Sequence, residues 1–133
     1  MGTEMNEQQA YEHWQRCKPY IAAAVELVDT HTIEDVEDGI AAGAMAFWPG
    51  EHSAAVTEVH QYPRVRYLHV TFAGGDLDEL RAMVPAFMSF GRFCGCTKIS
   101  LLGRPGWERA LRQQGWKKTA VGLAVEIPPE VRQ

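Results

Sequence analysis

The chain has 133 residues, which is enough for one domain with a hydrophobic core and too few for two domains of typical size. Apolar residues make up 46% and charged residues 23%, as in ordinary globular proteins. The formal net charge of −4 does not favour a nucleic-acid partner, and no apolar run approaches the roughly 20 residues of a membrane span. The N-terminus also lacks the basic-then-apolar order of a signal peptide. We therefore expect a cytoplasmic protein.

The N-terminal part, 1–31, is predicted to form two helices that pack on the rest of the domain. The first covers Glu7–Lys18, and Pro19 suits the first turn of a second helix that ends near Asp29. Thr32–Asp35 has the pattern of a capping box, which predicts the start of a third helix. Gly43 is placed to end that helix with a left-handed residue.

In the middle of the chain, side chains alternate between two faces with the two-residue period of β-strands. Two or three consecutive strands with short links predict an antiparallel meander. The predicted strands are Met45–Trp48, Ala54–Gln61 and Arg66–Phe72.

The period then changes from that of a strand to that of a helix. Apolar residues from Leu77 to Met88 lie on one helical face, and the helix is expected to run to about Cys94 with a kink or restart at Pro85. The next strand, Lys98–Leu102, follows a crossover helix, which predicts parallel pairing. A short helix and a last strand complete the pattern, at Trp107–Gln114 and Thr119–Ile127.

These elements predict an α+β fold in one domain, 1–133. Its mixed sheet has five to six strands, antiparallel in the first half and with a parallel βαβ unit in the second, and helices cover both faces.

Three cysteines, an odd number, favour reduced thiols over disulfides. Cys94-Gly95-Cys96 would need two further ligands to hold a metal ion, and no histidine has the required spacing around it. We predict no metal site, and the cysteines are expected to be buried or inert.

The order of strand, glycine turn, helix, strand and short helix resembles the cofactor half of the GNAT (N-acetyltransferase) superfamily. Similarity extends to the segments Gly95-Cys-Thr-Lys-Ile99, Glu108-Arg-Ala-Leu111 and Gln114-Gly-Trp-Lys-Lys118. The whole chain also resembles small proteins of phages and prophages. The resemblance implies that, if acetyl-CoA binds, it contacts Val70, Phe72, Ala73, Gly74, Gly75, Asp76 and Arg104.

Several residues depart from the family pattern. Asp76, Asp78 and Glu79 place negative charge where the resemblance implies the pyrophosphate, and Asp76 with Glu79 fits a capping box that would occupy the helix start. The family's catalytic tyrosine corresponds to Leu111, and its CoA-contacting asparagine corresponds to Trp107.

Two functions stay open on these observations. The first is a GNAT-fold phage or prophage protein that has lost acetyl-CoA chemistry, uses no cofactor and acts through a protein partner in virion assembly or host interaction. The alternative is an active acyl-CoA-dependent N-acyltransferase with Glu58 or His69 as general base. A third interpretation is another small α/β fold, which would show no divergence between the two parallel strands.

Overall fold

The structure, a computed structural model, describes residues 6–103 and 105–130. These residues form four α-helices, one short 3-10 helix and four β-strands. The chain divides into two compact units, Met1–Leu102 and Gly103–Gln133. The first unit contains the sheet and three of the α-helices. One domain over residues 1–133 stays a prediction.

Helix α1 spans Glu7–Val25 as one helix, so the prediction of two N-terminal helices separated at Pro19 is wrong. Asn6 caps its start, because the Asn6 side chain accepts a hydrogen bond from the Gln9 N–H at 2.8 Å. Pro19 removes one hydrogen bond within the helix. The helix continues through it because it buries an apolar stripe against the sheet, formed by Cys17, Ile21 and Val25.

Helix α2 spans Ile33–Ala41 and begins with the predicted capping box. The Asp35 N–H donates to Thr32 Oγ1 at 3.2 Å, and the Thr32 N–H donates to Asp35 Oδ2 at 2.8 Å. Gly43 follows the helix with a φ of 77°, the left-handed conformation that was expected there. Local sequence signals were therefore sufficient to predict both ends of α2.

The sheet has the order β1-β2-β3-β4. The strands are β1 (Ala46–Pro49), β2 (Ser53–Gln61), β3 (Arg66–Gly75) and β4 (Lys98–Leu101). The first three strands pair antiparallel and β3 pairs parallel with β4, as predicted. The described residues form four strands in place of the predicted five to six.

Helix α3 spans Leu77–Phe93 and provides the crossover from β3 to β4. Pro85 lies inside it without ending it. The helix buries an apolar face that includes Leu80, Val84 and Phe87.

Helices cover both faces of the sheet, as predicted. Phe47 on β1 lies edge-on to Trp14 of α1, with ring centroids 5.2 Å apart. Its neighbour Trp48 lies edge-on to Phe87 of α3 at 4.9 Å. Because successive strand residues point to opposite faces, α1 and α3 lie on opposite sides. On the α1 side of the sheet, the core packs α1 and α2 against β2 and β3. Its buried residues include Val36, Ala54, Val56 and Phe72.

The second unit contains α4 (Pro105–Leu111) and a 3-10 turn (Arg112–Gln114) that ends at Gly115 with a φ of 88°. The predicted strand Thr119–Ile127 is wrong, because this segment is neither helix nor strand. Its alternating apolar side chains, Val121, Leu123, Val125 and Ile127, are 66–93% exposed. A strand requires a hydrogen-bonded partner, and the described residues of this unit contain no other strand.

Across the described ranges, none of the helices combines the length and the apolar character that crossing a membrane requires.

Candidate active site

The two residues proposed as general bases lie directly opposite each other in the sheet. Glu58 on β2 is paired in register with His69 on β3. Opposite residues of an antiparallel pair project from the same face, with Cβ atoms about 4.5–5.5 Å apart. The sequence identified each residue separately, and the register brings them together.

These two residues belong to a polar cluster on one face of β2, β3 and β4, which we call the strand cluster. Its members are Glu58, His60, His69, Thr71 and Ser100. Thr71 Oγ1 donates to Glu58 Oε1 at 3.0 Å, and His60 Nε2 lies 3.3 Å from Glu58 Oε2. Both carboxylate oxygens of Glu58 therefore have partners, and the carboxylate is held in one orientation.

His69 is held by two neighbours. Its Nδ1 lies 2.9 Å from Ser100 Oγ on the parallel strand β4, and its ring stacks on His60 at 4.8 Å with an interplanar angle of 23°. In the tautomer whose Nδ1–H donates to Ser100, Nε2 keeps a lone pair that can accept a proton.

The pKa of His69 lies below its ordinary value of 6.5. Burial is the main cause, because it disfavours the charged ring, and the neighbouring His60 acts in the same direction. Glu58 opposes both effects. His69 is consequently neutral at physiological pH, which is the state a general base requires.

The pairing of β2 with β3 is irregular at Thr71, a member of the cluster. Val56 pairs with Phe72 and Thr57 pairs with Val70, so Thr71 is an extra residue between two consecutive pairs. Such a β-bulge changes the direction of the side chains around it. Thr71 lies two residues after His69 and donates to Glu58. The two-residue period places His60 on the face of Glu58 and Thr71 on the face of His69, but it contained no signal for the bulge or for the contact with Ser100.

The parallel strands β3 and β4 pair over only four positions, from Tyr67 with Lys98 to Val70 with Leu101. Strand β3 continues to Gly75, and in the described part of the chain its edge beyond Val70 has no strand partner on the β4 side. Backbone groups there, including those of Phe72, can hydrogen-bond an extended ligand. The pairing of the two parallel strands therefore ends at Val70 and Leu101.

The glycines of the expected pyrophosphate turn are part of β3. Gly74 pairs with Ala54 and Gly75 pairs with Ser53. A Cβ on Gly74 would collide with the backbone carbonyl of Tyr20, and Gly75 has a φ of 97° and lies against the His52 carbonyl. These glycines are therefore required by packing within the chain, and Ala73–Gly75 does not form an open phosphate loop.

The start of α3 is occupied by the protein's own acids. Asp76 Oδ1 accepts a hydrogen bond from the Glu79 N–H at 3.0 Å. The capping box is only half formed, because the Asp76 N–H donates to the His52 carbonyl at 2.9 Å and Glu79 does not bond back to it. Glu79 instead accepts from the His52 N–H and from Ser53 Oγ at 2.7 Å. These hydrogen bonds lower the pKa of Glu79.

Arg104, a predicted cofactor contact, lies outside the described residues. Leu111 and Trp107 both lie on α4. The cysteines are free, and burial raises the pKa of both Cys17 and Cys96, which makes these thiols poor nucleophiles. The described residues contain no cluster of three His, Cys, Asp or Glu side chains suited to a metal ion.

No protein-family model matches the sequence, and no curated protein matches it. Similar solved structures do exist. Aminoglycoside N-acetyltransferase AAC(6')-Iy in complex with CoA has a TM-score of 0.64 at 14% identity, covering 92% of this chain and 91% of that one. A Trypanosoma brucei acetyltransferase has a TM-score of 0.63 at 11% identity, covering 92% and 96%.

A predicted acetyltransferase from Clostridium acetobutylicum, solved with acetyl-CoA, has a TM-score of 0.58 at 12% identity and covers 71% of each chain. At these identities the likeness concerns the fold. The chain has the fold of the GNAT acetyltransferases.

Proposed function

We propose that the protein is an acyl-CoA-dependent N-acyltransferase whose strand cluster accepts the proton released by the acceptor amine. The observation that carries the proposal is that β3–β4 pairing ends at Val70 and Leu101, next to the Glu58–His69 pair in the sheet. Acyl transfer to an amine needs a positioned acyl donor and a proton acceptor, and this place in the sheet can supply a strand edge for the first and a base for the second.

Acetyl-CoA would supply an acyl group activated as a thioester. The backbone of β3 beyond Val70 fits the extended thioester arm, because its edge on the β4 side has no strand partner among the described residues. The start of α3 does not fit the diphosphate, because Asp76 caps it and Glu79 is bound to the β1–β2 turn.

The residues of the cluster have separate tasks in this proposal. As the new C–N bond forms, the thioester C–S bond breaks and CoA leaves as a thiolate that takes up a proton from water. The attacking amine must lose a proton, and His69 Nε2 accepts it directly or through one water. Ser100 holds the ring through Nδ1. Glu58, held by Thr71 and His60, stabilises the positive charge that His69 then carries.

The test is a thiol-release assay with acetyl-CoA and a panel of primary amines, combined with calorimetry of CoA binding. We expect amine-dependent thiol release that falls about 10²-fold or more in Glu58→Gln and His69→Gln. His52→Asn serves as the matched control, because it removes an exposed histidine ring from the turn between β1 and β2, outside the strand cluster. Release at background level for every amine would contradict the proposal.

A second candidate is a protein that acts through protein contacts without acetyl-CoA chemistry. The capped start of α3 and the closed packing of Gly74 favour it. The phage or prophage role that accompanies this candidate rests on sequence resemblance. Absence of both CoA binding and acyl transfer is the result expected from this candidate, and low-micromolar CoA binding would overturn it.

A further inference from the structure

In the acyl-transfer step described above His60 only helps to hold Glu58, yet it contacts both Glu58 and His69. It lies two residues after Glu58 on β2 and on the same face. Its ring is stacked on His69 with centroids 4.8 Å apart, and its Nε2 lies 3.3 Å from Glu58 Oε2. The side chains of His60 and Glu58 are only 33% and 24% exposed, so solvent screens this group incompletely.

The contacts of the two histidines differ in charge. The His60 ring nitrogen faces a carboxylate, whereas the His69 nitrogen Nδ1 faces the neutral hydroxyl of Ser100. Other ionisable groups border the pair. Tyr62 lies edge-on to His60 at 6.3 Å, Tyr67 is paired with His60 across β2 and β3, and Lys98 on β4 lies over the Tyr67 ring at 5.7 Å. Within the strand cluster, Glu58 is the carboxylate that contacts His60.

We propose that His60 is a positioning residue that keeps the His69 ring neutral and in plane for proton transfer. The inference rests on the proposed acyltransferase function. Two stacked imidazoles cannot both carry a positive charge without strong repulsion. A positive charge on His60 would therefore oppose protonation of the stacked His69 ring, in the direction in which the pKa of His69 is lowered. His69 is left neutral, with its lone pair available for the acceptor amine.

The direction of the His69 pKa agrees with this arrangement, since His60 is one of the two causes that lower it. Stacking also restricts rotation of the His69 ring, while Ser100 holds its Nδ1. His60 therefore acts on both the charge and the orientation of the base without contacting the substrate.

The test is an NMR pH titration of the His69 ring protons in His60→Phe. Phenylalanine keeps a stacked aromatic ring and removes the charge, so burial of His69 is preserved while the repulsion is lost. We expect the His69 titration midpoint to shift upward in His60→Phe and to remain unchanged in the control His52→Asn. A midpoint that stays in place or shifts downward in the folded His60→Phe protein would overturn the proposal.

His60→Tyr provides a second aromatic replacement if the phenylalanine variant does not fold, with the same upward shift expected. The titration requires no catalytic activity, so it decides the role of His60 even if the acyltransferase proposal fails. If acyl transfer is observed, the acid limb of the kcat/KM profile must shift upward in His60→Phe together with the NMR midpoint. If the His69 titration midpoint shifts but the acid limb of the kcat/KM profile does not, His60 changes the pKa of His69 without affecting catalysis. That result would overturn the proposal that His60 serves acyl transfer.

Discussion

The Glu79 carboxylate accepts hydrogen bonds from the His52 backbone N–H at 2.9 Å and 3.0 Å, and this joins the first turn of α3 to the turn between β1 and β2. Ser53 Oγ donates to the same carboxylate. Glu79, one of the acids expected to repel a diphosphate, therefore stabilises the contact between α3 and the β1–β2 turn.

We expect Glu79→Gln to lower the melting temperature at neutral pH, because it replaces charge-assisted hydrogen bonds with neutral ones. The folded-state pKa of Glu79 lies below its ordinary value of 4.5, so its contribution is present above that value and is lost as pH falls through the lowered pKa. Thermal unfolding followed from neutral to acid pH should show the two proteins converging at low pH.

Asp78→Asn is the matched control for Glu79, since Asp78 is in the same helical turn and its side chain is 92% exposed. It should change the melting temperature little. Equal effects of the two substitutions would contradict the structural role of Glu79.

Gly74→Ala should destabilise the protein by about 1–3 kcal/mol, because the added Cβ collides with the backbone carbonyl of Tyr20, which cannot rotate away. Gly122→Ala is the control, because a Cβ there meets nothing within 4 Å. Urea denaturation measures both free energies of unfolding. Comparable stability of the two variants would show that α1 does not approach β3 this closely.

Removing the negative charges of Asp76 and Asp78 at the start of α3 should strengthen CoA binding. Asp76→Asn preserves the helix cap, because asparagine caps as well as aspartate, and Asp78→Asn removes an exposed charge. We expect about two- to fivefold tighter binding for each charge at low salt, with the gain decreasing as salt rises. Calorimetry measures CoA binding by these variants and by a control that carries Glu34→Gln and Asp38→Asn on α2. An equal gain in that control would indicate a general charge effect.

Ser100→Ala should lower kcat/KM by about two- to tenfold, because it removes the hydrogen bond that selects the tautomer of His69. Ser89→Ala, at an exposed position on α3, is the control. The acyl-transfer assay with both variants measures the difference. Unchanged kinetics in Ser100→Ala would exclude a role for this hydrogen bond in orienting the base.

The pH dependence of acyl transfer should follow the His69 pKa. Since the pKa of His69 is below 6.5, its ring stays neutral at pH 6.5 and somewhat below. The acid limb of the kcat/KM profile is therefore expected below pH 6.5. Glu58 raises the pKa of His69, so Glu58→Gln should move the limb further toward acid. Rates measured across about pH 5 to 8 check both statements. A limb above 6.5 in the native protein would contradict the assignment of His69.

Local patterns were enough to predict α2, the antiparallel strands and α3. The capping box at Thr32 and the helical spacing from Leu77 depend only on neighbouring residues. The prediction failed at Pro19, where burial of the α1 stripe outweighs the local signal, and at Thr119–Ile127, where alternation was present without a described strand partner.

The sequence by itself determined which residues could act as a base, because carboxylate and imidazole chemistry belong to Glu58 and His69 whatever the fold. Only the tertiary structure decided that they are neighbours, and that His60, Thr71 and Ser100 complete the group. A two-residue period assigns side chains to a face, but it contains no information on register, on a bulge, or on where parallel strands stop pairing. Those features depend on contacts between residues far apart in the chain, such as the pairing of β2 with β3 and of β3 with β4.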